Sequence, residues 1–179
     1  MKFSLIQGGT FEGLNTHEGK YYKLGFKKML DLGGKEFGSK SIIVDPFALN
    51  CNWGNFTNDL NPNTNAEFNL DALEFLQTIE SNSVDYVLFD PPFSQRQAER
   101  YEIGHQNIYT DPSYVSNCFF HIARILKING YVLKLGYNST RHNSSLKLIE
   151  GWIVNFGGSR HDVIMTIWQN VQNTLEEYL

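Results

Sequence analysis

The chain has 179 residues, of which 41% are apolar and 19% are charged, and its formal net charge at pH 7 is -4. This length suits one buried core, so we expect a single domain over residues 1–179. No run approaches the about 20 apolar residues of a membrane helix, and the N-terminus lacks a signal-peptide pattern, which predicts a cytoplasmic protein without membrane contacts. The negative net charge disfavours strong binding of nucleic acid by electrostatics alone.

The cysteines and the distribution of charge give two further expectations. Cys51 and Cys118 have no cysteine or histidine partner at metal-ligand spacing, so we expect two free thiols and no bound metal. Residues 41–100 carry nine Asp/Glu against two Lys/Arg, whereas the flanking segments are basic or balanced. Part of this acidity is therefore expected to belong to a site.

The first half of the chain alternates helical and extended patterns. Residues 17–32 have apolar side chains at helical spacing, which predicts a helix. A β-branched apolar run at 41–45 predicts a buried parallel strand, and residues 55–59 predict a weaker one. Residues 71–80 again have helical spacing, and the strongest strand signal, residues 83–90, comes next.

The second half continues the alternation and ends differently. Residues 112–126 predict a helix, 131–136 a strand and 144–150 another short helix. Apolar runs at 152–155 and 163–168 flank a glycine turn, which predicts an antiparallel pair. The element order therefore predicts an α/β fold with a seven-stranded, mostly parallel sheet and an antiparallel C-terminal hairpin.

Four aspartates mark the expected ligand-binding edge of this sheet. Asp45, Asp59 and Asp90 close the first, second and fourth strand positions, and Asp71 begins the helix after the third. Ligands of open α/β sheets bind at the carboxyl ends of the strands. One such aspartate alone is more often a helix cap or a turn former, but four at one edge favour a binding site.

The strand at 83–90 runs into a short motif with chemical meaning. Asp90, Pro91, Pro92 and Phe93 spell D-P-P-F, which resembles the catalytic signature of amino-methyltransferases. A rigid turn after a strand is the plain structural alternative. The resemblance implies the Rossmann-like fold of class I S-adenosylmethionine-dependent methyltransferases.

Other segments agree with this resemblance. VDPFALNCNWG at 44–54 is similar to the first motif of the family, NDLNP at 58–62 to its ribose-binding strand end, and NLDALEFL at 69–76 to the segment that contacts the cofactor adenine. ILKINGYVLKLGYNS at 125–139 resembles its L-K-x-G-G turn and fifth strand. The similarity covers about residues 15–140 and is strongest to short adenine-specific (N6) DNA methyltransferases of phages and mobile elements.

The resemblance implies S-adenosylmethionine as cofactor and DNA as partner. Asp59 would accept hydrogen bonds from the ribose hydroxyls, and Asp71 would accept one from the adenine amino group. The full set of implied cofactor residues is Thr16, Asp45, Pro46, Phe47, Asn50, Trp53, Asp59, Leu60, Asn61, Asp71 and Ala72.

The D-P-P-F motif implies a way to activate an adenine amino nitrogen, whose lone pair is delocalised into the ring. The Asp90 carboxylate and the Pro91 carbonyl would accept hydrogen bonds from its two N–H groups, which leaves the lone pair directed at the methyl group of the cofactor. Pro92 would stiffen this geometry, and Phe93 would stack on an extruded base.

The loop at 94–110 contributes three candidate substrate-binding residues, Arg96, Arg100 and Tyr109. A loop that closes over a flipped base has this polar composition. An ordinary solvated surface loop has the same composition, and the two interpretations stay open here.

The first motif departs from the family pattern. Only about nine residues with a single glycine separate Asp45 from the next strand, which leaves hardly any room for a crossover helix. Either this connection is a tight irregular loop with Asn50, Asn52 and Trp53 lining the methionine pocket, or the motif is degraded and binds cofactor weakly. Thr16 either contacts the methionine end of the cofactor or is a plain helix N-cap.

Two other functions remain as alternatives. Guanine N2 methyltransferases of ribosomal RNA share D-P-P-F, although they usually keep a glycine-rich turn. A non-catalytic cofactor-binding or interaction subunit is the third reading. No segment is left for a target-recognition domain, so either a recognition subunit or a homodimer supplies specificity, or methylation occurs loosely in a short context.

Overall fold

The computed structural model describes residues 2–7, 20–35, 40–94, 111–155 and 162–171. The described elements are, in chain order, β1 (Lys2–Gln7), α1 (Lys20–Leu32), β2 (Ile43–Asp45), β3 (Phe56–Thr57), α2 (Ala72–Thr78), β4 (Val84–Phe89), α3 (Tyr114–Ile125), β5 (Leu126–Gly136), β6 (Leu146–Asn155) and β7 (Val163–Asn170). None of these helices is long and apolar enough to cross a bilayer.

One sheet of seven strands organises the fold, in the order β1-β6-β7-β5-β4-β2-β3. β7 runs antiparallel to both of its neighbours, and the other pairings are parallel. The predicted mostly parallel seven-stranded sheet with a C-terminal antiparallel pair is confirmed.

Helices cover both faces of the sheet. α1 packs on one face, where Tyr22, Phe26 and Met29 meet alternate residues of β4 and β5. α2 and α3 pack on the opposite face, where Phe75 and Phe119 belong to the second core cluster. Because β4 and β5 are buried on both faces, they read as nearly continuous apolar runs, as expected for central parallel strands.

The seventh strand lies where the sequence did not indicate one. β1 pairs in parallel with β6 at the edge of the sheet, and its Phe3 and Leu5 side chains are exposed. At the third strand position the structure has only an isolated bridge between Asn58 and Phe68. The predicted number of seven strands is correct, but the seventh strand is β1 at the N-terminus and not a strand between β3 and α2.

The predicted helix at 144–150 is wrong, because β6 begins at Leu146 and pairs with β1 on one side and β7 on the other. A register shift between Leu148 and Glu150 breaks the alternation of its side chains, which explains why the local pattern did not look extended. The predicted helix at 17–32 is observed over Lys20–Leu32, and residues 17–19 lie outside the described part.

β5 also begins earlier than predicted, at Leu126, directly after α3. Its pairing with β4 jumps from Val84–Leu126 to Tyr86–Tyr131, so β5 carries an irregular turn in which Asn129 has a φ of 65°. Gly130 lies inside this turn. A Cβ there would lie 2.9 Å from the Lys127 carbonyl oxygen and 3.0 Å from that of Asp85.

We expect Gly130→Ala to lower the free energy of unfolding by about 1 to 3 kcal/mol, because backbone atoms cannot move aside as a side chain does. Gly136→Ala is the matched control in the same strand, since a Cβ there meets nothing within 4 Å. The control should be neutral or slightly stabilising. Urea denaturation of both variants measures the difference, and equal stabilities would contradict this account of Gly130.

Candidate active site

The connection between β2 and β3 is a tight irregular loop without a helix, residues 46–55. The Ala48 N–H donates to the Asn58 carbonyl at 2.8 Å, and the Asn58 N–H donates to the Asp45 carbonyl at 2.8 Å. Leu49 adopts a φ of 49°, the left-handed conformation that a glycine would ordinarily supply. The connection is therefore a tight irregular loop, and its role in cofactor binding stays a prediction.

Asp59 ties this loop to the turn that follows β3. Its Oδ2 accepts the Leu49 N–H at 3.0 Å, and its Oδ1 accepts the Asn61 N–H at 2.9 Å. Asp59 therefore holds the backbone of the proposed cofactor loop whether or not it contacts a cofactor.

Asp71 likewise has a structural role at the start of α2. Its Oδ1 caps the helix by accepting the Leu73 N–H at 2.9 Å, and it also accepts the Tyr114 hydroxyl of α3 at 2.8 Å. Neither bond uses Oδ2. Burial raises the pKa of Tyr114 above its ordinary range, and electrostatic interactions with Cys118 and Asp71 raise it further, which keeps this hydroxyl a donor.

Asp45 and Asp90 both interact electrostatically with Tyr22 of α1. The Asp45 side chain is fully buried, and its Oδ1 accepts the Phe47 N–H at 3.1 Å. Burial raises the pKa of Tyr22 well above 10, and the negative charges of Asp45 and Asp90 raise it further. The Tyr22 hydroxyl therefore stays protonated beside both carboxylates.

Trp53 fills the space beside these groups. Its ring stacks on Phe26 at 4.8 Å and on Tyr22 at 5.7 Å between ring centroids. Asn50 points elsewhere, because its Oδ1 accepts the Asn65 N–H at 3.0 Å. Of these two predicted cofactor residues, Trp53 thus packs against α1, whereas Asn50 is hydrogen-bonded to Asn65 in the loop between β3 and α2.

The remaining predicted residues of this edge are mostly part of the protein core. Pro46 and Ala72 are buried, and the Phe47 ring meets Phe89 edge-on at 5.3 Å. Leu60 and Asn61 are half-buried in the turn after β3. Four predicted residues lie outside the described part of the chain: Thr16, Arg96, Arg100 and Tyr109.

The four residues of the D-P-P-F motif directly follow β4 and are half-buried. Phe93 packs against the core cluster under α1, and its ring lies 5.3 Å from that of Tyr137, at 52° between the ring planes. Tyr137 directly follows β5 and is 45% exposed. The structure thus places a second aromatic ring beside the predicted stacking residue.

On the opposite face of the sheet, Lys134 forms a polar cluster that the sequence did not indicate. This β5 residue is 4% exposed, and its ammonium lies 5.7 Å from the centre of the Phe119 ring. It donates to Asn138 Oδ1 at 3.0 Å and to the Thr140 carbonyl at 3.4 Å, and it lies 3.2 Å from His142 Nε2. Burial lowers its pKa to about 8.

His142 is the neutral partner in this cluster. Burial and the Lys134 charge lower the pKa of His142 to about 4. A neutral ring that accepts from Lys134 through Nε2 carries its proton on Nδ1, which faces Ser116 Oγ at 3.4 Å. The only available signal in the sequence was a lysine inside YVLKLG, a strand that is otherwise apolar on both faces.

The described side chains form no group of three or more His, Cys, Asp or Glu that could hold a metal ion. Neither cysteine forms a disulfide; Cys118 is buried and Cys51 is half-buried.

Comparisons with known proteins place the fold. No protein-family model and no curated protein sequence matches the chain. A methyltransferase homologue from Pyrococcus horikoshii is 10% identical, with a TM-score of 0.51 over 80% of this chain and 66% of that one. NSun6 from the same organism, determined with SFG, is 12% identical, with a TM-score of 0.52 over 89% of this chain and 57% of that one.

These likenesses show the fold alone: the chain has the Rossmann-like fold of class I methyltransferases. The aligned region spans 66% and 57% of the lengths of those two proteins.

We expect acidification to destabilise the protein partly through His142. The pKa of an exposed histidine is about 6.5, so the unfolded chain binds this proton before the folded chain does as the pH falls. Stability should therefore decline from about pH 6.5 to about pH 4.

His142→Gln keeps an acceptor for Lys134 but does not titrate, so this part of the decline should be absent from the variant. Denaturant unfolding of both proteins at about pH 7, 5.5 and 4.5 provides the comparison. A stability difference that stays constant over this range would contradict the assignment.

Proposed function

We propose that the protein transfers a methyl group from S-adenosylmethionine to an exocyclic amino group of a nucleobase, with adenine N6 in DNA as the leading target. The observation that carries this proposal is the D-P-P-F motif at the carboxyl end of β4, in a methyltransferase fold, with the Phe93 and Tyr137 rings side by side.

The proposed cofactor site runs along the carboxyl ends of β2 and β3 to the start of α2. Asp59 would accept hydrogen bonds from the ribose hydroxyls, and Asp71 would accept one from the adenine amino group on Oδ2. These two acceptors match the hydrogen-bond donors of an adenosyl group. One structure with the same fold was determined with SFG, an S-adenosylmethionine analogue, which supports the choice of cofactor.

When bound, S-adenosylmethionine supplies an electrophilic methyl group. The protein's own contribution is to orient the amino group that receives it. Asp90 and the Pro91 carbonyl would accept hydrogen bonds from the two amino N–H groups, which directs the nitrogen lone pair out of its conjugation with the ring. Phe93 would hold the base by stacking, at a contribution of about 1 to 3 kcal/mol.

A nucleic-acid substrate is supported by the local charge. The whole chain has a net charge of -4, but Arg141 is exposed and lies in the loop after β5 that begins with Tyr137. Arg141 would meet phosphates beside the motif, so we expect binding to weaken as salt increases.

Sequence specificity would come from a recognition subunit, from a homodimer or from loose recognition of a short context. Two other functions are compatible with the same fold and motif: guanine N2 methylation of ribosomal RNA, and a non-catalytic interaction subunit. Methyl-transfer assays distinguish both from the adenine N6 reaction.

We predict that Asp90→Ala abolishes methyl transfer and leaves cofactor affinity nearly unchanged, because the lost interaction is made to the substrate. Phe93→Ala should mainly raise the apparent KM and keep a residual rate above that of Asp90→Ala. Asp85→Asn is the matched control on the same strand, since Asp85 pairs with Lys127, 3.0 Å away. The measurement is transfer of a labelled methyl group to mixed-sequence DNA and RNA, with the modified base identified after digestion.

N6-methyladenine in DNA supports the leading target, and label in guanine of RNA replaces it with the runner-up. Tight cofactor binding without label in any nucleic acid favours the interaction subunit.

We also predict that Asp59→Asn weakens cofactor binding by about 1 to 3 kcal/mol, the cost of losing a charged hydrogen-bond partner. Calorimetry measures the affinity. Thermal melting without ligand shows whether the variant is also destabilised by loss of the Asp59 hydrogen bonds to Leu49 and Asn61. No cofactor binding by the unaltered protein would favour the degraded first motif.

A further inference from the structure

Lys134 lies close to the proposed site but has no part in the chemistry above. It is paired with Phe89 across β4 and β5, one residue before Asp90. Its side chain is almost completely buried, and the described carboxylates form no ion pair with it. A buried cation without a countercharge is unfavourable, so a fold that keeps one needs a reason beyond packing.

The partners of this ammonium suggest the reason. An ammonium has three N–H donors, and the structure gives Lys134 three neutral acceptors. They are the side chain of Asn138, the backbone carbonyl of Thr140 and the ring of His142. All three belong to residues 137–142, the post-β5 segment, which thus wraps around one charge.

The post-β5 segment begins with Tyr137, whose ring faces Phe93. Asn138 follows immediately and is bound at 3.0 Å by Lys134. The Asn138 Oδ1 also accepts the Thr140 N–H at 3.2 Å, which closes the turn. The position of Tyr137 is thereby set on one side by β5 and on the other by the Lys134 ammonium.

We propose that Lys134 is a positioning residue, which holds the post-β5 segment so that Tyr137 stands against Phe93 as the second aromatic wall of the substrate-binding site. The proposal rests on the proposed function for the identity of the substrate, a nucleobase. The positioning itself is a property of the protein alone and can be tested without a substrate.

Lys134→Met separates positioning from fold stability. Methionine has a similar length and fits beside the Phe119 ring, but it has no charge and no donors. A lysine that only stabilised the fold would, when replaced, lower the melting temperature and activity together. A positioning lysine gives a different pattern: an equal or higher melting temperature, an unchanged cofactor affinity, and an apparent KM for nucleic acid raised about tenfold or more.

Lys127→Met is the matched control, another lysine of β5. Its ammonium pairs with Asp85 near the start of the strand, 3.0 Å from the carboxylate. This variant should keep the KM of the unaltered protein. A double-mutant cycle of Lys134→Met with Tyr137→Ala should be non-additive in KM, because both changes remove the same wall.

The substrate-independent readout is nuclear magnetic resonance of protein with labelled Tyr and Phe rings. The unaltered protein and Lys127→Met should show a nuclear Overhauser effect between the Tyr137 and Phe93 rings, and Lys134→Met should lose it. Retention of this effect in Lys134→Met overturns the proposal, and so does a lost effect with an unchanged KM. If the unaltered protein methylates nothing, the proposed function fails, whereas the ring contact still decides the role of Lys134.

Discussion

The edge of the sheet that carries the candidate site depends on the hydrogen bonds of one buried side chain, that of Asn58. Its amide donates to the carbonyls of Pro46 and Leu70 and accepts the Leu70 N–H, and its side chain is 0% exposed. These bonds connect the end of β2, the end of β3 and the approach to α2. Without these bonds, several buried backbone N–H and C=O groups would have no partner, which would cost about 1 to 3 kcal/mol of stability for each group.

This network substitutes for a crossover helix. Parallel neighbouring strands ordinarily need a connection of about a dozen residues or more, usually helical, yet residues 46–55 join β2 to β3. The short loop cannot cover the sheet as a helix does. Trp53 fills part of that space instead, stacked on Phe26 and Tyr22 of α1, so an aromatic cluster closes the core beside Asp45. The connection between β2 and β3 is thus a compact structure in its own right.

The sequence predicted the elements whose side chains are buried on both faces and failed where pairing is non-local. The runs around β2, β4 and β7 are apolar and β-branched, so local pattern suffices. β1 is defined by its pairing with β6, and its exposed Phe3 and Leu5 give no sign of which face is inside. In β6 the register shift at Leu148 disguised the alternation.

For the candidate site, reasoning from strand ends placed Asp45, Asp59 and Asp90 at one edge of the sheet, because chain order alone puts strand ends there. Their roles in binding and catalysis stay predictions. This reasoning missed the Lys134 cluster, since a lysine inside a strand ordinarily faces solvent.

The two faces of the sheet make different contributions to this edge. The α1 face supplies aromatic surface through Trp53 and Phe93. The α3 face supplies polar anchors, with Asp71 bound to Tyr114 and Lys134 bound to the segment that follows β5. Tyr137 belongs to that segment, but its ring lies against Phe93. Lys134 on the α3 face therefore holds an aromatic side chain in place on the α1 face. Stacking needs a ring held at a defined angle, and this link supplies that constraint without adding a charge to the stacking surface.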